Sequence, residues 1–423
     1  MSIDGIRRMR QSNYALPQSQ KLVPVPVPVY ARADQFVPPS QMESQDYQQA
    51  NMPASDPNND PSQELPPPPK RSFKQWLAAR TKKQWIIFGT ILVLLIGGGA
   101  AAFVMLGKEE PPKPTPKVVK SKPAPPPPTT EASYLTGVQV GFDVNKRPVT
   151  AVMIENSQDA RPQSGLDAAG VVFEAVAEGG ITRFLAIFQD SDPAYIGPVR
   201  SVRPYYLHWA LGFDAAIAHA GGSAEALASI GPWGVKDLNH DSAHFYRISS
   251  RFAPHNLYTD ITKLRDYAAQ KGFGTSKYTG FLRRPEAPAK TPTARVISMN
   301  ISSAAFNASF TYDPATNSYA RSLAGSPHMV VDGAGVQTQL KPKVVVGLLM
   351  AQGNNGIYTT YASLGSGTAF VFQDGTVTEA VWNKPDRNTN ITFTDKAGKP
   401  LKLVPGQTWI TALGGPDRIS WTP

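Results

Sequence analysis

The run WIIFGTILVLLIGGGAAAFVML, from Trp85 to Leu106, holds 22 residues and no charge, and it constrains the whole chain. About 20 apolar residues at roughly 1.5 Å rise cross a hydrocarbon core of about 30 Å, so this stretch is expected to be one transmembrane helix. A buried core helix would carry a polar face, and a cleaved signal peptide would begin near residue 1 with a shorter apolar run. Lys70, Arg71, Lys74, Arg80, Lys82 and Lys83 crowd its N-terminal side, whereas Lys108 on the far side is followed by Glu109 and Glu110. The positive-inside bias then predicts a single-pass cell-membrane protein. Its N-terminus lies in the cytoplasm, residues 108–423 are extracytoplasmic, and the helix is an uncleaved signal anchor.

Charge follows the same division. The formal net charge is +10, but residues 1–130 hold 16 Lys and Arg against 9 Asp and Glu, and residues 131–423 hold 26 against 23. Most of the excess is therefore topogenic, and no nucleic-acid partner is expected. The chain has no cysteine, which excludes disulfides, thiolate metal sites, a cysteine nucleophile and a lipidated N-terminal cysteine.

Residues 1–69 are rich in Gln, Pro, Ser and Asn, with PVPVPV at Pro24–Val29, and read as a disordered cytoplasmic tail. Residues 70–84 form a basic juxtamembrane segment suited to anionic headgroups. Beyond the helix at 85–106, residues 107–133 are a Pro-rich, semi-rigid linker. Two domains are expected after it: an α/β domain over 134–290 and a β-rich domain over 291–423.

Short apolar runs between turn signals support that reading. Pro148–Glu155, Gly170–Ala177 and Ile181–Phe188 read as strands, with Gly179 and Gly180 as the tight turn joining the last two. Ser201–Leu211 reads as a helix, Asp214–His219 as a buried strand, and Glu225–Ile230 as the start of a second helix. In the second half Val344–Leu349 reads as a buried strand, and Thr368–Phe372 with Thr376–Trp382 as a hairpin around Asp374–Gly375.

Candidate chemistry concentrates between Glu155 and Asn256. A strand ending at Ala220, then Gly221, Gly222 and Ser223, then a helix, is a turn whose N–H groups suit an anion, with Ser223 as the cap. Arg200 and Arg203 in IGPVRSVRP supply guanidinium forks beside it. Arg161, Arg183 and His219 join them as expected ligand-binding residues; the bland reading pairs the arginines with Glu174 or Glu178. Glu174, inside the apolar VVFEAVA, is costly to bury unpaired. Glu174 and Glu178 are accordingly either ion-paired or an acid/base pair flanking a scissile bond. His240, Asp241 and His244 lack the HExxH spacing, so no metal is expected, and no cofactor either.

Taken together, MIENSQDARPQSGL (Met153–Leu166), VFEAVAEGGITRF (Val172–Phe184), IGPVRSVRPYY (Ile196–Tyr206), HAGGS (His219–Ser223) and APHNLY (Ala253–Tyr258) closely resemble the YerB-like bacterial lipoprotein family. In the second half the resemblance continues through YDPATNSYARS, GSGTAFVFQDG, VWNKPDR and LVPGQTWI, and it covers nearly all of 135–415. The family is defined by paired N-terminal and C-terminal domains of unknown function. It implies a membrane-tethered, envelope-exposed protein and transfers no catalytic residue. This chain departs from it in carrying a transmembrane run in place of a lipidated cysteine, and Lys343 where asparagine is expected.

The expected function is binding of an anionic cell-envelope polymer or a wall-assembly partner. The alternative is a hydrolase or transferase of glycan or phosphodiester linkages, with Glu174 or Glu178 as acid or base and His219 assisting. A third reading is a scaffold whose C-terminal domain meets a membrane enzyme.

Overall fold

The computed structural model describes residues 128–423, together with 81–83, 86–87 and 89–90. The chain divides into two units, Met1–Val119 and Lys120–Pro423. In the first, the described residues of the 82–90 stretch are helical, and Thr90 Oγ1 donates to the Ile86 carbonyl at 2.8 Å. The expected tail lies outside the described residues, as do most of the juxtamembrane segment, the membrane helix and the linker. Among the described residues no helix is long and apolar enough to cross a membrane.

The second unit is β-rich with few helices. Its first strand, Thr130–Ala132, pairs antiparallel with Gln139–Gly141. Its first half supplies strands β1 (Thr150–Glu155), β2 (Val171–Glu178), β3 (Ile181–Phe188), β4 (Ala216–His219) and β5 (Lys236–Asn239). Helices α1 (Pro204–Leu211), α2 (Ala224–Ser229) and α3 (Ile261–Gln270) accompany them. From the second half come β6 (Val296–Met299), β7 (Ala308–Asp313), β8 (Ser318–Leu323), β9 (Ser326–Pro327) and β10 (Val344–Leu349). The hairpin β11 (Gln352–Asn355) and β12 (Tyr358–Tyr361) follows, then β13 (Gly365–Gln373), β14 (Thr376–Lys384), β15 (Thr392–Asp395), β16 (Thr408–Leu413) and β17 (Ile419–Thr422).

One twelve-stranded sheet runs through both halves in the order β15-β14-β13-β10-β16-β2-β3-β1-β4-β5, with the β11–β12 hairpin attached to β2. The junction is the parallel pairing of β16 with β2, from Thr408 opposite Val171 to Thr411 opposite Glu174. The expected boundary at 290 is therefore no break in the sheet. A second, five-stranded sheet, β9-β8-β7-β6-β17, packs over one face.

Period-2 alternation explains the layering. On β2, Val171, Phe173 and Ala175 face Trp209 and Tyr206 of α1, while Val172 and Val176 belong to the opposite core with Trp409, Phe310 and Ile297. Gly179 and Gly180 turn the β2–β3 hairpin with φ of 55° and 79°, and Asp374 and Gly375 turn β13–β14 with 55° and 75°. Both are the left-handed pairs that match strand twist. Helix α1 starts at Pro204 instead of Ser201. The preceding residues are drawn into extended pairing: Val202 N–H donates to Gly221 O at 3.0 Å and Ser223 N–H to Val202 O at 3.2 Å.

Candidate functional site

Strands β1, β2, β4, β5, β10 and β16 all run in one direction, so their carboxyl ends meet at one edge of the sheet. Ligands of open sheets with parallel strands gather at such edges. Glu155, Glu178 and His219 end β1, β2 and β4 there. Residues 196–203 thread along this edge: Glu155 N–H donates to Pro198 O, Arg200 N–H to Met153 O, and Ala220 N–H to Arg200 O. This threading sets Arg200 against Glu155 and Arg203 against Glu178.

Glu178 accepts from Arg183 on one oxygen and from Arg203 on the other. Burial pushes its carboxyl up, but the two guanidiniums outweigh that and hold it below the usual carboxylate range. Arg183 also donates to Ser201 O at 3.0 Å and Arg203 to Val202 O at 2.7 Å. The Arg203 guanidinium lies over the Tyr358 ring, 4.6 Å from its centroid. Two arginines share one carboxylate here, leaving a surplus of positive charge.

Arg203 borders a cleft of about 390 Å³. Its other walls are Tyr205 and His208 of α1, Ser223 and Glu225 at the start of α2, Trp233, and Asn355 to Ser363 around the β11–β12 hairpin. His208 stacks on Trp233 with centroids 4.8 Å apart, and Arg387 lies over the Trp233 ring at 4.9 Å. His208 Nδ1 meets Ser363 Oγ at 2.8 Å. Burial, followed by the charges of Lys384 and Arg387, pulls His208 down to about 4, so the ring is neutral at neutral pH. Lys384 Nζ donates to the carbonyls of Arg387 and Thr389, and burial lowers it to about 8.

The expected site residues fall into separate groups. Arg183, Arg203, Glu178 and Ser223 gather at or behind the cleft. Arg200 is instead held by Glu155 at 3.1 Å, and the same buried carboxylate meets His255 Nδ1 at 3.0 Å and Ser157 Oγ at 2.9 Å. His219 is enclosed, with Nδ1 against Gly221 O at 2.8 Å and Nε2 against Asp237 at 2.7 Å. Ser223 caps α2 as expected, accepting from Ala226 N at 3.3 Å. Gly222 leaves room for Val202, whose Cγ1 would sit 3.0 Å from an added Cβ. The Gly-Gly-Ser turn offers less to an anion than its sequence implies: Gly221 N–H donates to Asn239, and Ser223 N–H to Val202.

Glu174 belongs to a closed polar ring between the two sheets. Its Oε2 accepts from Arg321 at 2.8 Å and from Trp409 Nε1 at 3.1 Å, and its Oε1 from Thr182 at 3.3 Å. Arg321 donates to His328 Nδ1, His328 Nε2 meets Gln163 at 2.9 Å, and Gln163 with Thr182 closes the ring through Asn156. Burial and the charges of Arg321 and Arg161 push His328 well below its ordinary value, so it serves as a neutral acceptor for Arg321. Glu174 is fully buried; its partner is Arg321 rather than any arginine near it in sequence. Arg161 lies beside this ring, bonded to Asn156 and to Ala305 O at 2.8 Å, and lines a different hollow with Pro327 and His328. Neither Glu174 nor Glu178 has an oxygen without a donor already on it.

Sequence reasoning passed over His208 and Ser363. A single histidine in the apolar helix PYYLHWAL has no motif around it, and Ser363 stands 155 positions away in ASLGSG.

Comparison with known proteins matches residues 135–274 to the DUF3048 N-terminal domain and 297–410 to the DUF3048 C-terminal domain, both described as of unknown function. YerB of Bacillus subtilis (strain 168), a protein named as a lipoprotein, is 32% identical over 298 residues, spanning 68% of this chain and 87% of that protein. The crystal structure of YerB from Bacillus subtilis superposes with a TM-score of 0.62 at 30% identity, covering 69% of this chain and 99% of that one.

Proposed function

The chain belongs to the DUF3048 family, and from that premise we propose that it is a membrane-anchored extracytoplasmic protein that holds an anionic envelope polymer in the cleft beside Arg203. The observation that carries this reading is the Arg183–Glu178–Arg203 cluster, two cations to one carboxylate, with Arg203 laid over Tyr358 at the cleft wall. Guanidinium forks match phosphate and carboxylate oxygens. The Trp85–Leu106 run and the lipoprotein name carried by the relative both support tethering at the outer face of a membrane.

The test is retention of purified full-length protein on immobilised poly(glycerol phosphate), with uncharged dextran as control. Saturable retention on the anionic chain alone is expected. Arg203→Ala weakens it about tenfold, the equivalent of one charge-assisted contact. Arg200→Ala, committed to Glu155 outside the cleft, weakens it less. Undiminished retention by Arg203→Ala removes the cleft from the reading. Placement is checked separately on intact cells with a membrane-impermeant maleimide, which the cysteine-free background makes clean. Lys396→Cys is expected to label and Gln49→Cys to stay unlabelled; the reverse pattern sinks the topology.

A further inference from the structure

We infer that Ser363 and His208 form a nucleophile–base pair that cleaves an O-acyl ester on the ligand held in the cleft, an inference that rests on the proposed binding site. Their contact is 2.8 Å, within reach of proton transfer, and both side chains line the same cavity of about 390 Å³. The histidine–acid contacts near the sheet edge are differently placed. His219–Asp237 has both ring nitrogens engaged, and His255 shares Glu155 with Arg200.

Several features suit the pair to this role. Ser363 ends a three-residue turn in which its N–H donates to Tyr361 O at 2.8 Å, so the hydroxyl is set by backbone next to the cleft-lining Tyr361. Trp233 packs flat on the imidazole at an interplanar angle of 27°, fixing its plane. In the tautomer that carries hydrogen on Nε2, Nδ1 is the acceptor facing the Ser363 hydroxyl. Arg203 and Glu225 line the same cavity, and Arg203 is the cation there that can face negative charge developing on the acyl oxygen.

The chemistry balances as acyl transfer to water. Ser363 Oγ bonds to the acyl carbon as its proton passes to His208 Nδ1. The carbon–oxygen bond to the polymer hydroxyl then breaks, and that oxygen leaves with the proton. Water attacks the acyl-serine, gives a proton to His208, and Ser363 recovers it as the carboxylic acid departs. One ester and one water become one acid and one alcohol, with no change in oxidation state.

The experiment treats the full-length protein with an alkyl fluorophosphonate and locates the adduct by peptide mass spectrometry, alongside hydrolysis of p-nitrophenyl acetate. The expected adduct is on Ser363 and absent from Ser363→Ala. His208→Gln is expected to slow labelling and hydrolysis at least about 100-fold with Tm within a few degrees of wild type. Wild-type protein with no adduct on Ser363, or with turnover that survives Ser363→Ala, overturns the inference. Retention on poly(glycerol phosphate) is read in parallel. Lost labelling with retention intact ends only the catalytic pair, and intact labelling without retention ends only the binding reading.

Discussion

At the scale of single residues the fold turns on a charge in its core. Glu174 and Arg321 are both fully buried; Glu174 also accepts from Thr182 and Trp409, and Arg321 also donates to His328. A buried pair is weak evidence for net stability, but removing one partner leaves the other charge without compensation, at a cost of about 3–5 kcal/mol. Glu174→Gln keeps the shape and removes only the charge, and in urea denaturation it is expected to lose an amount in that range. Glu178→Gln is expected to lose less, since that carboxylate is 29% exposed and water can replace part of the pairing. If Glu174→Gln denatures like wild type, the ring does not hold the sheets together and an acid–base role for this glutamate returns. The sequence announces that a glutamate inside VVFEAVA needs a partner. It does not announce which one, because Arg321 lies 147 positions away and only the packing of two sheets brings it there.

Among the elements, the legible ones were those whose own residues carry the period. Ile181–Phe188 and Val344–Leu349 are strands with the expected bounds, and the turns at Gly179–Gly180 and Asp374–Gly375 are hairpins as their residue types require. The β11–β12 hairpin was illegible for a physical reason: Gln352–Asn355 is exposed at every position, so no buried face imposes alternation. That hairpin contributes Asn355, Tyr358, Thr359, Thr360 and Tyr361 to the cleft, so the cleft was hidden with it. The two legible turns differ in how tightly they are held. At Gly375 φ is 75° and an added Cβ would lie 2.7 Å from Tyr312 Cε1, whereas at Gly179 φ is 55° with nothing within 4 Å. Gly375→Ala is therefore expected to destabilise by about 1–3 kcal/mol. Gly179→Asn, which retains a residue tolerant of left-handed backbone before Gly180, is expected to stay within about 0.5 kcal/mol. Equal melting temperatures for the two variants would show that the Tyr312 contact yields freely.

For the molecule as a whole, the family match and the sheet describe different things. The matched segments, 135–274 and 297–410, are two stretches of sequence, yet β16, which begins in the second and runs past its end, lies between β10 and β2 in one continuous sheet. A chain ending at 290 would leave β2, the middle of the first half, without β16 on one side. It would also leave Glu174 without Arg321 and Trp409, and β3 without the facing core of Phe310 and Ile297. Uncovering apolar surface on that scale removes most of what offsets chain entropy. Residues 134–290 expressed alone are thus expected to lack near-UV circular dichroism and dispersed amide resonances. Mixed with residues 291–423, they are expected to regain both, since the missing strand and the missing arginine arrive together. A fragment 134–290 that folds by itself would mean that the first half closes its own core and that β16 joins a finished domain, in which case the Glu174–Arg321 ring is a late contact and the cleft belongs to docking rather than to folding.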